Sequence, residues 1–375
     1  MKNGLLVFVL CVCSLVLLQN CRDEQDTPSP PADYTGTPDT IFRPFKFPPV
    51  EVPVGISLTK EGVYLGKMLF YDPILSSDSS ISCSSCHKQE FAFSDGGKTV
   101  STNFFGVTKR NTPPIFNLVW VDDYFWDGRA TALTAQAADA LQHEQNFISA
   151  SGIPKLAANP TYVNLFNKAF GLPAGITEEK IQKALAMFMM KLVSSESKFD
   201  SVMRLQQQFS TQESNGFYEL FMKDPTLNTA NPGVGADCFH CHTSTSASYL
   251  TIIDNNFHNN SLQEPISGFQ FPDNGKGDIT GNQLNNGQFR TPHLRNIAVT
   301  APYMHDGRFA TLRQVLNFYN DSLKSSPTVD VNMKFTNQGG LHSLSESDKD
   351  DIIAFLNTLT DHRFLTDTAF SNPFK

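Results

Sequence analysis

Basic clusters are missing from this sequence. No stretch groups Lys and Arg as a phosphate-tracking surface does, and 29 Lys+Arg against 37 Asp+Glu leave a net charge of −8, which argues against nucleic acid as a partner. Long apolar runs are missing too. The stretch from Leu5 to Leu18 has 14 residues, short of the roughly 20 that a bilayer-spanning helix needs. Behind Lys2 it reads as an export leader over residues 1–20. Tryptophan is limited to two residues, so the 31 Phe carry much of the apolar packing. Cysteine is scarce: of seven, Cys11 and Cys13 fall inside the leader, Cys21 stands at its end, and Cys83, Cys86, Cys238 and Cys241 remain.

What is present begins with organisation. At 375 residues the chain has room for two domains. Leu18-Gln19-Asn20-Cys21 places Leu three residues before Cys, as a lipoprotein cleavage box does. Cys21 is therefore the expected lipid anchor, with plain signal cleavage as the alternative. Residues 21–53 are rich in Asp, Thr and Pro without periodicity and read as a flexible tether. Further on, Thr177 caps an amphipathic stretch running to Val193, Ser210-x-x-Glu213 is a capping box, and Ser345-x-x-Asp348 opens a helix to Leu359. Asn255 to Gln288 reads as loop.

In an oxidising compartment the four remaining cysteines could pair as disulfides, but the residue after each pair argues otherwise. Cys83-Ser84-Ser85-Cys86-His87 and Cys238-Phe239-His240-Cys241-His242 are both C-x-x-C-H, the pattern of c-type haem attachment. Two thiols one helical turn apart add to the porphyrin vinyl groups, and the adjacent imidazole becomes the proximal iron ligand. A lone motif could be chance, a redox disulfide or half a zinc site. Two in an exported chain with no further cysteines to complete a zinc cluster imply two covalent haem c groups. His240 reads as a spacer.

The halves repeat. With a shift of 179 residues Thr112-Pro113 meets Thr291-Pro292, Asn117 meets Asn296, Asp127-Gly128-Arg129 meets Asp306-Gly307-Arg308, and Leu133 meets Leu312. The expected fold is mainly α, with two cytochrome c-like haem domains related by internal duplication, at 54–209 and 210–375. The copies differ at two positions of interest: Trp126 against His305, and Ala140 against Tyr319. Leu312, Val315, Leu316 and Tyr319 share one helix face, so Tyr319 on spacing alone is a core tyrosine, whereas Ala140 cannot bind iron.

Across residues 53–359 the sequence resembles the bacterial dihaem cytochrome c peroxidase family, including its MauG-type branch. The resemblance rests on Leu65-Gly66-Lys67, Phe70-Tyr71-Asp72, Lys109-Arg110-Asn111-Thr112-Pro113, Phe125-Trp126-Asp127-Gly128-Arg129, Phe289-Arg290-Thr291-Pro292, Leu294-Arg295-Asn296 and Ala301-Pro302-Tyr303-Met304-His305-Asp306-Gly307-Arg308. It implies an N-terminal haem that reacts with peroxide and a C-terminal haem that passes electrons. It also implies a relay role for Trp126 and a calcium ion held by Asn111, Thr300 and Pro302. The C-terminal sixth ligand is Met in ordinary members and Tyr in the MauG-type branch; the matching residue is Tyr319, with Met304 as runner-up. A phenolate ligand would give this haem a low potential.

Two departures from the family matter. Ordinary members carry a removable distal His on the first haem, and no His lies between His87 and His143; the resemblance then implies a five-coordinate, peroxide-ready iron. The family's catalytic Glu, ten residues after the position of Gln136, falls on Asn146. Glu144 takes that role if the loop is shortened, or else is a surface carboxylate. His143 is the other acid–base candidate, or a solvated loop residue. The expected activity is reduction of hydrogen peroxide with electrons from a small cytochrome c or cupredoxin-like donor, in a periplasmic or cell-envelope lipoprotein that is a monomer or homodimer. The alternatives are a MauG-type oxidase of a partner protein and a non-catalytic dihaem electron carrier.

Overall fold

The apolar spacing of the first half folds it around one pair of crossed helices. A computed structural model describes residues 36–97, 102–228, 233–243, 253–333 and 339–375; the leader and Cys21 lie outside them. Helix α1 (Lys60–Tyr71) starts where the Thr59 side chain accepts from the Gly62 N–H, a side-chain cap for an otherwise unpaired donor. It crosses α6 (Glu178–Lys191), which Thr177 caps as its sequence predicts. At the crossing, a Cβ on Gly66 would stand 1.9 Å from the Ala184 carbonyl oxygen, so only glycine permits the approach.

Between these two helices the chain forms α2 (Cys83–Cys86), a hairpin of β1 (Thr102–Asn103) and β2 (Gly106–Val107), then α3 (Leu133–His143), α4 (Ser149–Ala157) and α5 (Pro160–Phe170). Their apolar faces make one core with Leu65, Phe70, Phe93, Phe116, Phe166 and Phe188.

The second half follows α7 (Lys198–Met203) and α8 (Thr211–Ser214), which runs on as a π-helical stretch Asn215–Phe221. Then come α9 (Phe239–His242), β3 (Phe257–His258), α10 (Lys276–Thr280), β4 (Phe289–Arg290), α11 (Leu312–Asp321) and α12 (Glu346–Asn357). The capping boxes at Ser210 and Ser345 form as their spacing predicts. Phenylalanines fill this second core: Phe355 is fully buried, 4.8 Å from Phe217 and 5.1 Å from Phe221 between ring centres. The 255–288 stretch is not wholly loop, since it contributes β3, which pairs antiparallel with β4, and the short α10.

The tether expected over 21–53 is shorter than its composition suggests. Phe47 is fully buried, Trp120 Nε1 donates to the Pro48 carbonyl at 3.0 Å, and Lys191 pairs with Asp39 at 3.0 Å, so residues 39–48 lie along the folded unit. Phe42, Phe45 and Phe47 follow neither helical nor strand spacing, and that is why periodicity misses the one that anchors.

The halves meet across buried polar groups. Arg295, with no exposed side chain, makes a two-pronged bond to Asp200 at 2.7 and 2.8 Å. Burial works to raise the Asp200 carboxyl, but Arg295 outweighs it and holds it below the ordinary carboxylate range. Nearby, Asp361 Oδ2 accepts from the N–H groups of Ser195 and Glu196, and Asn296 Oδ1 accepts from the Asp361 N–H. Removing one partner of a buried pair strands a charge at about 3–5 kcal/mol. Arg295→Ala is therefore expected to lose roughly that much unfolding free energy in urea titration, and Asp200→Leu/Arg295→Met, which strands no charge, to lose less.

Candidate functional site

Each C-x-x-C-H segment folds as a single helical turn, α2 and α9, which puts both thiols and the imidazole on one side. His87 Nδ1–H donates to the Phe93 carbonyl at 2.7 Å, and His242 Nδ1–H to the Pro292 carbonyl at 3.1 Å. Such bonds fix the tautomer and leave Nε2 for a metal. Burial lowers both imidazoles, His242 to about 4, so each ring is neutral, the form that coordinates iron. Burial also pushes the Cys83 and Cys238 thiols up to about 12. Helical thiol pairs beside neutral, oriented imidazoles at apolar cavities fit covalent haem on both sites.

The first cavity, about 1460 Å³, is lined by Cys83, Cys86, His87, Trp126, Gln136, His143 and Glu144. Helix α3 supplies Gln136 and ends at His143, with Glu144 as its C-terminal cap. The Gln136 Oε1 is buried without a hydrogen-bond partner among the described residues. Glu144 accepts from the side-chain amide of Asn103 on β1 at 2.5 Å, and its backbone carbonyl accepts from the Phe104 N–H at 2.9 Å. His143 is 61% exposed and pairs with Asp139 at 3.4 Å. Asn146, on which the family's glutamate falls, turns its amide to Ser77 Oγ at 3.3 Å and is not among the cavity-lining residues.

The second cavity, about 260 Å³, holds Cys238, Cys241, His242, Tyr319 and Met304. Helix α11, capped by Thr311, sends Leu312, Val315, Leu316 and Tyr319 into it together, so the helix face read as core is the lining of a cofactor cavity. Burial raises the Tyr319 hydroxyl to about 12 against the opposing bond from Asn260.

Trp126 lines both cavities. Its Nε1–H donates to the Asn111 carbonyl at 2.8 Å, while the Asn111 N–H donates to the His305 carbonyl at 2.7 Å. Of the residues expected around calcium, Asn111 Nδ2 donates to the Pro302 carbonyl at 2.6 Å, Thr300 lines the second cavity with both, and Asn111 Oδ1 is buried with no hydrogen-bond partner among the described residues. An orphaned oxygen among carbonyls is the kind of acceptor group that a hard cation satisfies.

Sequence reading missed Gln145, whose amide donates to Cys83 Sγ at 3.3 Å, as well as Asn103, Asn260 and His258. No motif marks them; each is brought to a cavity by a loop or a two-residue strand. The echo between the halves extends to the backbone. Asn117 and Asn296 both have left-handed φ, 55° and 57°, and each caps a short 3-10 turn, Leu118–Trp120 and Ile297–Val299. Isolated bridges Tyr124↔Ala130 and Tyr303↔Phe309 fall at matching places.

A family profile described as di-haem cytochrome c peroxidase matches residues 60–208. The methylamine utilization protein MauG of Methylorubrum extorquens is 33% identical over 80% of this chain and 79% of its own length. The chain belongs to the di-haem cytochrome c peroxidase family. Cytochrome c551 peroxidase of Nitrosomonas europaea is 30% identical, covering 79% of each chain. The crystal structure of a MauG-like protein associated with microbial copper homeostasis superposes with a TM-score of 0.76 at 31% identity, over 89% of this chain and 99% of that one. As a di-haem family member the chain takes two haem c groups, on the helical architecture described above.

One ion cluster beside the second cavity makes stability depend on pH. His258 on β3 is clasped between Asp330, 2.6 Å from Nδ1, and Asp254, 2.7 Å from Nε2. Burial would lower this imidazole, but the two carboxylates raise it from 6.5 to about 9. The charged ring thus stabilises the fold fully below about pH 6.5, and the contribution is lost as pH rises through about 9. His258→Gln should remove it, so the gap in melting temperature between the native chain and the variant is expected to narrow from pH 6 to pH 10 in thermal melts.

Proposed function

We propose that this chain reduces hydrogen peroxide to water at the His87 site, with electrons that enter at the His242 site from a small soluble cytochrome c or cupredoxin-like protein. The observation that carries the reading is Trp126, a redox-capable indole in the wall common to both cavities, with its N–H fixed by the Asn111 carbonyl. The resemblance between Trp126-Asp127-Gly128-Arg129 and His305-Asp306-Gly307-Arg308, with their matching bridges and left-handed asparagines, supports two domains descended from one haem-binding unit and meeting near residue 209. An exported, periplasmic or cell-envelope location, with a lipid anchor at Cys21, follows from the leader and completes the proposal.

The haems supply the electron storage and the iron that peroxide meets. The chain supplies the rest. His87 and His242 would hold the two haem irons, each ring oriented by a backbone carbonyl. Tyr319 would offer its phenol oxygen to the second haem, while Ala140 at the matching place in the first cavity offers no ligand atom and would leave room for peroxide. Glu144 is the proposed acid–base group: it takes the proton from the near peroxide oxygen and gives it to the far one, so that water leaves. The Asn103 amide holds that carboxylate at the cavity wall, and Gln136 lines the same cavity. His143 is the lesser candidate, because its side chain stands mostly in solvent. A calcium ion is proposed at Asn111 Oδ1 and the Thr300 and Pro302 carbonyls, where it would stiffen the same segment that holds Trp126.

Tyr319 and the similarity to MauG of Methylorubrum extorquens also support a second reading, oxidation of a partner protein's side chains. Steady-state assays with a reduced small cytochrome separate the two: two equivalents oxidised per peroxide are expected, and peroxide turnover that leaves the cytochrome reduced would favour the partner-protein reading. An EPR spectrum of the ferric protein should show one high-spin and one low-spin haem; two low-spin signals would mean an electron carrier without a peroxide site.

Glu144→Gln is expected to slow the peroxide reaction by roughly 10²–10⁴-fold in stopped-flow absorption, and unchanged kinetics would remove Glu144 from the mechanism. Asn111→Ala should abolish stoichiometric calcium in elemental analysis and lower the melting temperature, a drop that added calcium does not reverse.

A further inference from the structure

Two side chains in the second cavity offer a sixth ligand to the iron held by His242, and one amide touches both. Asn260 Nδ2 lies 3.1 Å from Tyr319 Oη and 3.6 Å from Met304 Sδ. An amide NH2 carries two N–H donors, so Asn260 can serve the phenol oxygen and the thioether sulfur together. Both candidates line the cavity with His242. Tyr319 comes from the last turns of α11, whereas Met304 comes from a loop where its φ is +75°, a left-handed conformation that a side chain other than glycine adopts only when its surroundings hold it there.

The amide is itself fixed. Its neighbour Asn259, 2% exposed, donates to Ser326 Oγ at 3.1 Å and Thr328 Oγ1 at 2.9 Å, and accepts from the Ser261 N–H at 3.0 Å. The Ser261 carbonyl in turn accepts from the Lys324 N–H at 3.0 Å. Segment 259–261 is thereby locked to the 324–328 loop, and Asn260 is presented to the cavity from a rigid backbone.

We propose that Asn260 is a positioning residue that selects Tyr319 over Met304 as the sixth ligand. The inference rests on the reading of Tyr319 as a ligand. A hydrogen bond donated to a negatively charged oxygen is strong, so the amide favours the phenolate at the iron. The same group, donating to Met304 Sδ, engages a sulfur lone pair that would otherwise be free to coordinate. Removing the amide reverses both effects. The exchange that follows breaks one iron–oxygen bond and forms one iron–sulfur bond, the released phenolate taking a proton from water; no electron is transferred. Thioether ligation raises a haem potential relative to an anionic oxygen ligand, so the choice made by Asn260 sets the potential of the electron-entry haem.

The test uses the haem-loaded full chain and its ferric absorption, EPR and redox titration. Asn260→Ala is expected to lose the phenolate-to-iron charge-transfer band, gain the thioether-to-iron band and show a higher potential at that haem; Asn260→Ala/Met304→Leu should lose the thioether band again. Asn260→Ser, which keeps one donor, is expected to retain the phenolate spectrum, and it replaces the alanine variant as the reference if the latter fails to take up haem, with Asn260→Asp, an acceptor of the same shape, then expected to give the thioether spectrum. Wild-type spectrum and potential in Asn260→Ala, or in Asn260→Asp where that stands in, would overturn the proposal. Tyr319→Phe separates the two layers. If it leaves the spectrum unchanged, the ligand reading itself fails; if it changes the spectrum while the Asn260 variants do not, only the role of Asn260 falls.

Discussion

The indole in the wall common to the two haem cavities, Trp126, is held in place by Asn111. Its carbonyl takes the Trp126 indole N–H, its own N–H goes to the His305 carbonyl, and its side-chain amide goes to the Pro302 carbonyl. One residue of the first half is thus bonded at two points to a single loop of the second, and the indole hangs from it. All three bonds are buried or nearly so, where a lost partner leaves an unsatisfied polar group rather than one rehydrated by solvent. The indole cannot rotate without breaking its bond to the Asn111 carbonyl.

That hub would be of little use if the halves could slide. The buried seam of Arg295, Asp200, Asn117, Asn296, Ser194 and Asp361 prevents it, because every member is hydrogen-bonded to a residue far away in sequence. The C-terminal segment adds an apolar clasp: Phe364 packs on Phe93 and Phe116, and the Tyr71 hydroxyl donates to the Phe370 carbonyl at 2.7 Å. Phe93 also supplies the carbonyl that orients His87. The clasp therefore reaches the proximal side of the first site, and domain packing and ligand geometry are parts of one structure.

Legibility in the sequence followed locality. The two C-x-x-C-H turns, the helix caps at Thr177, Ser210 and Ser345 and the helix bearing Tyr319 are all set by residues within one or two turns of each other, and they form as their spacing predicts. Groups whose partners are remote were invisible: Asn103 meets Glu144 across 41 positions, Asn260 meets Tyr319 across 59, and His258 meets Asp330 across 72. The pinned segment 39–48 escapes periodicity for the same reason, since Phe47 packed on Trp120 anchors it rather than a repeating pattern. Helix periodicity also reads a haem cavity and a protein core alike. Leu312, Val315 and Leu316 would look the same facing either.

The most informative residues are those where matching positions diverge. At the place where the second half puts Tyr319, the first puts Ala140, and a methyl group leaves that wall of the cavity without a donor atom for iron. Where the first half puts Trp126, the second puts His305, stacked flat on Phe289 at 3.7 Å and lying at the wall of both cavities as well. Burial lowers this imidazole to about 4, so it stays neutral and adds no charge between the sites. Under the proposed function these two differences separate a site that would admit a small molecule from one that would carry its own sixth ligand. In that reading the helix position of Tyr319 and Ala140 sets which iron would be open, and the loop position of Trp126 and His305 sets which aromatic rings lie in the wall common to both cavities.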